Sequence, residues 1–239
     1  MGERRAARVC RRGVDALLSV TLAARCAGCA RVLDTPLDGP VCAQCWASLT
    51  SRLLPHLALP HLTTPAGHAI DAGRAAADYE GVVRDIIHAF KYEGRRTLAR
   101  PLGALLRDAG VDLLAGSACA VPVPLHPWRR MRRGFNQAAD LAAQLGLPVV
   151  HALWRVRSTP AQMALSADDR QRNVRGAFRI APWMTPRTLA RCINDQVVVL
   201  VDDVTTTGAT LEACAAALKA AGAREVRALT VALTPRALR

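Results

Sequence analysis

Val197-Val198-Val199-Leu200-Val201-Asp202-Asp203-Val204-Thr205-Thr206-Thr207-Gly208-Ala209-Thr210 is the stretch that decides the fold. Its first five residues are apolar and four of them are valine, the composition of a strand buried on both faces of a parallel sheet. The strand is expected to end at Asp202-Asp203. A Thr/Gly turn then opens an Ala-rich helix closed by Gly222, and a last strand runs from Val226 to Leu233. Ligands of open α/β sheets bind beyond the C-terminal ends of strands, where this turn lies. A helix start offers amide N–H groups and the positive end of the dipole to a phosphate. Gly208 lets backbone approach an anion closely, and the hydroxyls add donors. An ordinary helix N-cap accounts for one threonine or two, but not for paired carboxylates at the end of a buried strand. Those carboxylates repel phosphate, and make sense as acceptors for sugar hydroxyls a short distance away.

Upstream, Val82, Val83, Ile86, Ile87 and Phe90 mark one helix face, and Leu98, Leu102, Leu105 and Leu106 mark a second. A strand is expected over Ala118–Val123, followed by a loop holding Arg129, Arg130, Arg132 and Arg133, then a helix from near Phe135 to about Leu145. A further strand around Val149–Ala152 leads into a polar stretch that ends at Phe178. This alternation predicts an α/β fold with a doubly wound, mainly parallel sheet. Residues 51–75, with Pro55, Pro60 and Pro65, read as a linker. They separate a module of residues 1–50 from a domain of residues 76–239. Neither G-x-x-x-x-G-K-[ST] nor G-x-G-x-x-G occurs, which disfavours P-loop and Rossmann dinucleotide readings.

Cys26-x2-Cys29-x12-Cys42-x2-Cys45 has the spacing of a structural zinc site, in which two C-x-x-C knuckles place four thiolates around the metal. A tetrahedron closed by four sulfurs leaves no open position, so such a site is structural rather than catalytic. Redox C-x-x-C motifs come singly beside a βαβ unit. Cys10, Cys119, Cys192 and Cys214 stand apart in apolar or helical stretches and read as small apolar residues. That usage favours a reducing cytoplasm over a disulfide framework. At the N-terminus, Val14, Leu17, Leu18, Thr21 and Leu22 share one helical face, and Asp15 abuts the apolar run. This reads as an amphipathic helix rather than a signal peptide. No run approaches the roughly 18 apolar residues needed to cross a bilayer.

The formal charge of +13 attracts polyanions such as nucleic acid or phosphorylated metabolites. Of the 32 basic residues 30 are arginine, so a GC-rich codon bias is an equally simple source of the excess. Aromatic residues make up only 4% of the chain, leaving little stacking surface for single-stranded nucleic acid.

The Asp202–Thr210 stretch resembles the 5-phosphoribosyl-1-pyrophosphate loop of type I phosphoribosyltransferases. The resemblance narrows with Pro122-Val123-Pro124-Leu125, Arg133-Gly134-Phe135-Asn136-Gln137-Ala138, Arg155-x-Arg157-x-Thr159-x-x-Gln162 and Arg172-Asn173-Val174-x-Gly176-x-Phe178. From about Tyr79 to Leu233 the chain is similar, in block order, to the ComF competence family, also known from GntX-type proteins. The resemblance implies the type I phosphoribosyltransferase fold behind a small zinc-ribbon-like module, and a substrate bound as its Mg²⁺ complex. It implies that Asp202 and Asp203 hold the ribose hydroxyls while Thr205, Thr206, Thr207, Gly208, Ala209 and Thr210 cradle the 5′-phosphate. Arg133 would lie beside the pyrophosphate, where a guanidinium binds bidentately, whereas Arg129 and Arg130 read as solvated charge. Arg157, Gln162, Arg172 and Asn173 fall in the family's mobile loop over the site and are candidate ligand contacts. Lys91, in Phe90-Lys91-Tyr92-Glu93-Gly94, matches the family pattern either as a phosphate ligand or as a helix-terminal charge. Many relatives carry a second cysteine set before the catalytic-type domain, and none stands between residues 46 and 118 here. Two functions follow: transfer of phosphoribose to an unknown acceptor with a role in DNA uptake during natural transformation, or a non-catalytic factor in competence that senses the phosphoribosyl substrate or handles single-stranded DNA, with single-stranded DNA or competence proteins as partners.

Overall fold

The computed structural model describes residues 14, 24–53, 69–125, 127–156 and 176–234, without the side chains of Pro127, Arg129 and Arg132. The amphipathic N-terminal helix expected around Val14–Leu22 falls outside these residues except at Val14. The chain divides into two compact units, residues 1–53 with 80–98, and residues 54–79 with 99–239.

In the first unit a bridge between Arg25 and Val32 brackets the first cysteine pair, and a 3-10 turn spans Pro36–Asp38. Helix α1, Ala43–Thr50, starts at the second cysteine pair: Cys42 is its N-cap and accepts from the Cys45 N–H. Helix α2, Gly81–Tyr92, buries Val83, Ile86, Ile87 and Phe90, the spacing of one helical stripe, and packs on α1. A 3-10 turn, Arg96–Leu98, follows.

The second unit is built on a four-stranded sheet of β1 (Ala72–Asp78), β2 (Cys119–Pro122), β5 (Val197–Thr205) and β6 (Glu225–Leu233), ordered β1-β6-β5-β2. All three pairings are parallel. Beyond β2 the chain adds one more parallel bridge, Ala120 to Val149. Two three-residue strands, β3 (Leu153–Arg155) and β4 (Phe178–Ile180), form a separate antiparallel pair. The helices are α3 (Ala99–Ala109), α4 (Val111–Leu114), α5 (Pro127–Arg133), α6 (Gln137–Ala142), α7 (Pro186–Cys192) and α8 (Ala209–Ala220). Helices α3 and α6 pack together and on the sheet, and α8 packs on β5, β6 and β4. The connections from β1 to β2 and from β2 to the Val149 bridge cross the sheet one way and that from β5 to β6 the other, so right-handed crossovers put α8 opposite α3 and α6. The fold is a doubly wound α/β sandwich, as expected. Strand β5 is its middle, hydrogen-bonded to β6 on one edge and β2 on the other, and Val197 through Val201 are all buried.

Four local expectations are corrected. The arginine-rich segment after β2 is helix α5, not a loop: Pro127 occupies its first position, no glycine or β-branched residue interrupts it, and Gly134 at φ 74° ends it. Strand β5 does not stop at Asp202-Asp203 but runs to Thr205, because the ladder to β6 continues through Val204–Ala232 and Thr205–Leu233. The strand expected at Val149–Ala152 is a single bridge, and the regular strand begins only at Leu153. Strand β1, of sequence Ala-Gly-Arg-Ala-Ala-Ala-Asp, was not expected. Its β-propensity is poor, and pairing with β6 makes it a strand. Among the described residues no helix is long and apolar enough to cross a membrane.

Leu200, fully buried on β5, reports on this layering. Leu200→Ala is expected to lower unfolding free energy by about 2–5 kcal/mol, seen as a lower urea midpoint at unchanged slope.

Candidate functional site

Strand β5 delivers Asp202 and Asp203 near its C-terminal end, and the chain turns through Thr206–Gly208 into α8. Successive strand side chains leave on opposite faces. The burial follows that alternation, with Asp202 half-buried and Asp203 7% exposed. The Asp202 carboxylate turns back on its own backbone, its Oδ1 accepting the Asp203 N–H at 2.8 Å. Its charge is felt by Cys214 on α8, whose thiol is pushed well up, first by complete burial and then by Asp202. Asp202 shares its face of β5 with Val198 and Leu200, which cluster with Leu211, Cys214 and Leu218 of α8, and so lies on the α8 side of the sheet.

Thr205 is buried as the last strand residue, and its carbonyl accepts from the Thr234 N–H at 3.0 Å. Thr206 and Thr207 are half-buried, Gly208 is buried, and Ala209 and Thr210 are half-buried in the first turn of α8. Gly208 is itself the N-cap, in the left-handed region at φ 73°, and has no side chain with which to cap the helix. Simple capping therefore does not explain the threonines and aspartates. The first amide groups of a helix have no intrahelical acceptor, and here they open at the sheet's C-terminal edge, an arrangement suited to an anion.

Other candidate residues are placed as follows. Arg133 ends α5, and its Nη1 donates to Gln137 Oε1 at 3.1 Å, within the first turn of α6. Lys91 lies in the last turn of α2 in the first unit, and is half-buried. Arg157, Gln162, Arg172 and Asn173 lie outside the described residues. Arg155, at the end of β3, was quoted only as part of a motif. It is 8% exposed, and its guanidinium carbon stands 5.4 Å from the Phe178 ring centroid across the β3–β4 pair. Its charge also reaches Cys214, in the direction opposite to that of Asp202. An arginine set between two apolar residues at the start of a polar segment was the available signal for it.

In the first unit the four cysteines converge: the Sγ atoms of Cys26, Cys29, Cys42 and Cys45 all lie within 4.8 Å of one another, with Cys29 and Cys42 at 3.9 Å. Zinc–sulfur bonds of about 2.3 Å in a tetrahedron separate sulfurs by about 3.8 Å, so the cluster fits zinc. The backbone prepares it for thiolates. Burial pushes the Cys26 thiol up, but N–H groups that include Cys42 and Gly28, each at 3.3 Å, outweigh burial and bring it down to about 6. The Arg31 N–H lowers Cys29, while burial and then the neighbouring sulfurs push Cys45 up. Four thiolates this close repel each other, and a dication removes that repulsion. Gly28 has no room for a side chain, since a Cβ there would stand 2.7 Å from Val82 Cγ2 and 3.0 Å from Cys45 Sγ. By contrast Cys119, pushed up to about 12 by burial, and Cys214 are inert apolar thiols.

The phosphoribosyl transferase domain model matches residues 131–238, which include α6, strands β3 to β6 and the Asp202–Thr210 stretch. Competence protein F of Haemophilus influenzae is 37% identical over 152 residues, covering 59% of this chain and 64% of that protein, so the chain spans just under two thirds of that relative. The DNA utilization protein YhgH of Escherichia coli is 32% identical over 216 residues, covering 84% of this chain and 87% of that protein. A crystal structure of TT1426 from Thermus thermophilus aligns over 59% of this chain and 76% of its own, with 24% identity and a TM-score of 0.32.

Elemental analysis of the purified chain is expected to return about one zinc per chain. Cys29→Ser combined with Cys42→Ser should lose the metal and destabilise the first unit, because metal binding contributes to the folding of such small sites. Equal zinc content in both proteins would remove the site.

Proposed function

The chain belongs to the ComF family, that of competence protein F and the DNA utilization protein YhgH, and from that premise we propose that it binds 5-phosphoribosyl-1-pyrophosphate at the β5–α8 turn and transfers phosphoribose to an acceptor. The observation that carries the reading is the start of α8 at the glycine N-cap Gly208, one turn beyond Asp202-Asp203 at the C-terminal edge of the central strand. The amides of Thr207 to Thr210 and the hydroxyls of Thr205, Thr206, Thr207 and Thr210 receive the 5′-phosphate. The carboxylates of Asp202 and Asp203 accept hydrogen bonds from the ribose hydroxyls. Holding both ends of the sugar fixes the anomeric carbon in line for attack.

In the transfer, an acceptor lone pair forms the bond to the anomeric carbon while its bond to pyrophosphate oxygen breaks, and that electron pair leaves with pyrophosphate. The acceptor's proton passes to solvent. Arg133, held by Gln137, supplies positive charge for the departing group. Mg²⁺ prefers one or two carboxylates together with substrate phosphate oxygens, and Asp202 and Asp203 fit that donor set. When bound, the ion neutralises charge on the leaving pyrophosphate. Lys91 and the residues Arg157, Gln162, Arg172 and Asn173 are proposed as further contacts to the phosphates. The division into a zinc module of residues 1–50, a linker of 51–75 and a phosphoribosyl domain of 76–239 belongs to the same proposal, as does a cytoplasmic location, with which the free thiols of Cys119, Cys192 and Cys214 agree.

A second reading rests on the charge of +13 and on the relatives named for competence and DNA utilization. In it the chain takes part in DNA uptake by handling incoming single strands or engaging competence proteins, with the phosphoribosyl substrate as a sensed ligand rather than a reactant. Pyrophosphate release separates the two readings.

Isothermal titration with 5-phosphoribosyl-1-pyrophosphate and Mg²⁺ tests the site. Each of Asp202→Ala and Asp203→Ala is expected to weaken binding at least about tenfold, the size of one charged hydrogen bond. Equal affinity in wild type and variants rejects the assignment. For the second reading, affinity for an oligonucleotide single strand is expected to fall by about an order of magnitude or more between about 50 and 200 mM salt, the loss that several phosphate contacts produce. Binding that ignores salt, or no binding at low salt, counts against it.

A further inference from the structure

Two carboxylates stand side by side at the end of β5, yet their surroundings differ. Asp203 leaves the strand on one face, whereas Asp202 shares the other with Val198 and Leu200. Strand β6 brings no side-chain donor to Asp202 on that face. Thr230, its register partner, is fully buried, and its hydroxyl has no hydrogen-bond partner among the described residues. Oδ1 of Asp202 accepts the Asp203 N–H, and a carboxylate has acceptor positions for several donors.

A cation reaches the same face from β3. Strand alternation puts Leu153 and Arg155 on one side of β3 and Trp154 on the other, where Trp154 meets Trp183 edge to face. Leu153 is buried in one apolar cluster with Phe178 of β4, Leu211 and Cys214 of α8, and Leu200 of β5. Arg155 therefore points into that layer. It is 8% exposed, and its guanidinium carbon lies 5.4 Å from the centroid of the Phe178 ring, which covers it. Arginine does not shed its charge by deprotonation, and a buried ion without a counter-charge is strongly disfavoured. A leucine would complete this layer without that cost, so an arginine at this depth calls for an acid within reach.

The layer holds such an acid. Cys214 is completely buried on α8, and after burial its thiol responds to two charges, Asp202 pushing it up and Arg155 drawing it down. Asp202 and Arg155 thus approach one sulfur from two elements, β5 and β3. Glu212, in the first turn of α8, is engaged by the Ala69 N–H, and Asp203 faces the other way.

We propose that Arg155 is the positioning residue of the sugar-phosphate site: from β3 its buried guanidinium holds the Asp202 carboxylate ionised and fixed on the α8 face, in place for a ribose hydroxyl. The two aspartates then have unequal parts, since only the α8 face carries this buried cation. The effect on binding rests on the phosphoribosyl reading above, while the link between Arg155 and Asp202 does not. Arg155 acts through Asp202 and is assigned no ligand contact of its own.

A double-variant cycle on the full chain tests this, read out by urea unfolding and by isothermal titration with 5-phosphoribosyl-1-pyrophosphate and Mg²⁺. Removing one member of a buried pair strands the other charge, whereas removing both does not. Arg155→Met and Asp202→Asn should each lower the urea midpoint, and together by clearly less than the sum of the single shifts. In titration Arg155→Met should weaken the ligand about tenfold, the size of one charged hydrogen bond, and Arg155→Lys, which keeps the charge, by less. In the Asp202→Asn background Arg155→Met should weaken it by less than about twofold further. Should Arg155→Met fail to fold, Arg155→Lys carries the same cycle. Additive midpoint shifts, with the same loss of affinity whether or not Asp202 is present, mean that Arg155 only packs β3 on β4, and overturn the proposal. So do unchanged affinity in Arg155→Met, or coupling of Arg155 to Glu212→Gln in place of Asp202→Asn. Non-additive unfolding in a chain that does not bind the ligand upholds the link and rejects the sugar-phosphate reading.

Discussion

The parallel ladder on both edges of β5 is the constraint from which the rest of the second unit follows. A strand paired on each side and covered on each face has no polar backbone left to satisfy and no side chain in water over Val197–Val201. That requirement admits only apolar, mostly β-branched residues. It also sets the height at which the chain leaves the sheet. Because the ladder to β6 continues to Thr205, Asp202 and Asp203 are held rigidly as strand residues rather than floating in a loop. The turn after them is short, and Gly208 is the residue that lets it enter α8 without a capping side chain. Rigid placement of charged groups is what distinguishes a binding site from a polar surface.

The cysteine unit is organised by a different force. Its buried core at the cysteines is small, Cys26, Leu33 and Cys45 with a few half-buried neighbours, and a core of that size contributes little hydrophobic stabilisation. Backbone N–H groups aimed at sulfur replace it in part, and convergent thiolates supply a strong reason to bind a dication. The two units therefore differ in build: the second is organised around a buried apolar strand, while the first pairs the buried stripe of α2 with four convergent cysteines whose geometry fits zinc.

Much of this was legible in the chain because the signals were local. The Val197–Val201 run, the Asp-Asp-x-Thr-Thr-Thr-Gly turn and the two C-x-x-C pairs each express their constraint within a few consecutive residues. Strand β1 was not legible, since Ala72-Gly73-Arg74-Ala75-Ala76-Ala77-Asp78 has no strand propensity and exists only as a partner of β6. Helix α5 was only weakly legible, because a dense arginine run is equally compatible with a solvated loop, and what favours the helix is the uninterrupted run of helix-compatible residues after Pro127. The edge-to-face contact of Trp154 and Trp183, with ring centroids 5.3 Å apart, was not legible because Trp154 stands on β3 and Trp183 beyond β4, far apart in the chain.

Fold class, the middle strand, the carboxylate pair with its turn and the metal-type cysteine set were all written in short stretches of the chain. Each of these needs particular residue types at short spacing, whatever surrounds them. Tertiary structure alone decided which weak segments became strands, which face of β5 Asp202 occupies, and which distant side chains meet. Those outcomes depend on pairings between segments far apart in the chain, whose energies are a property of the packed sheet and not of any one stretch.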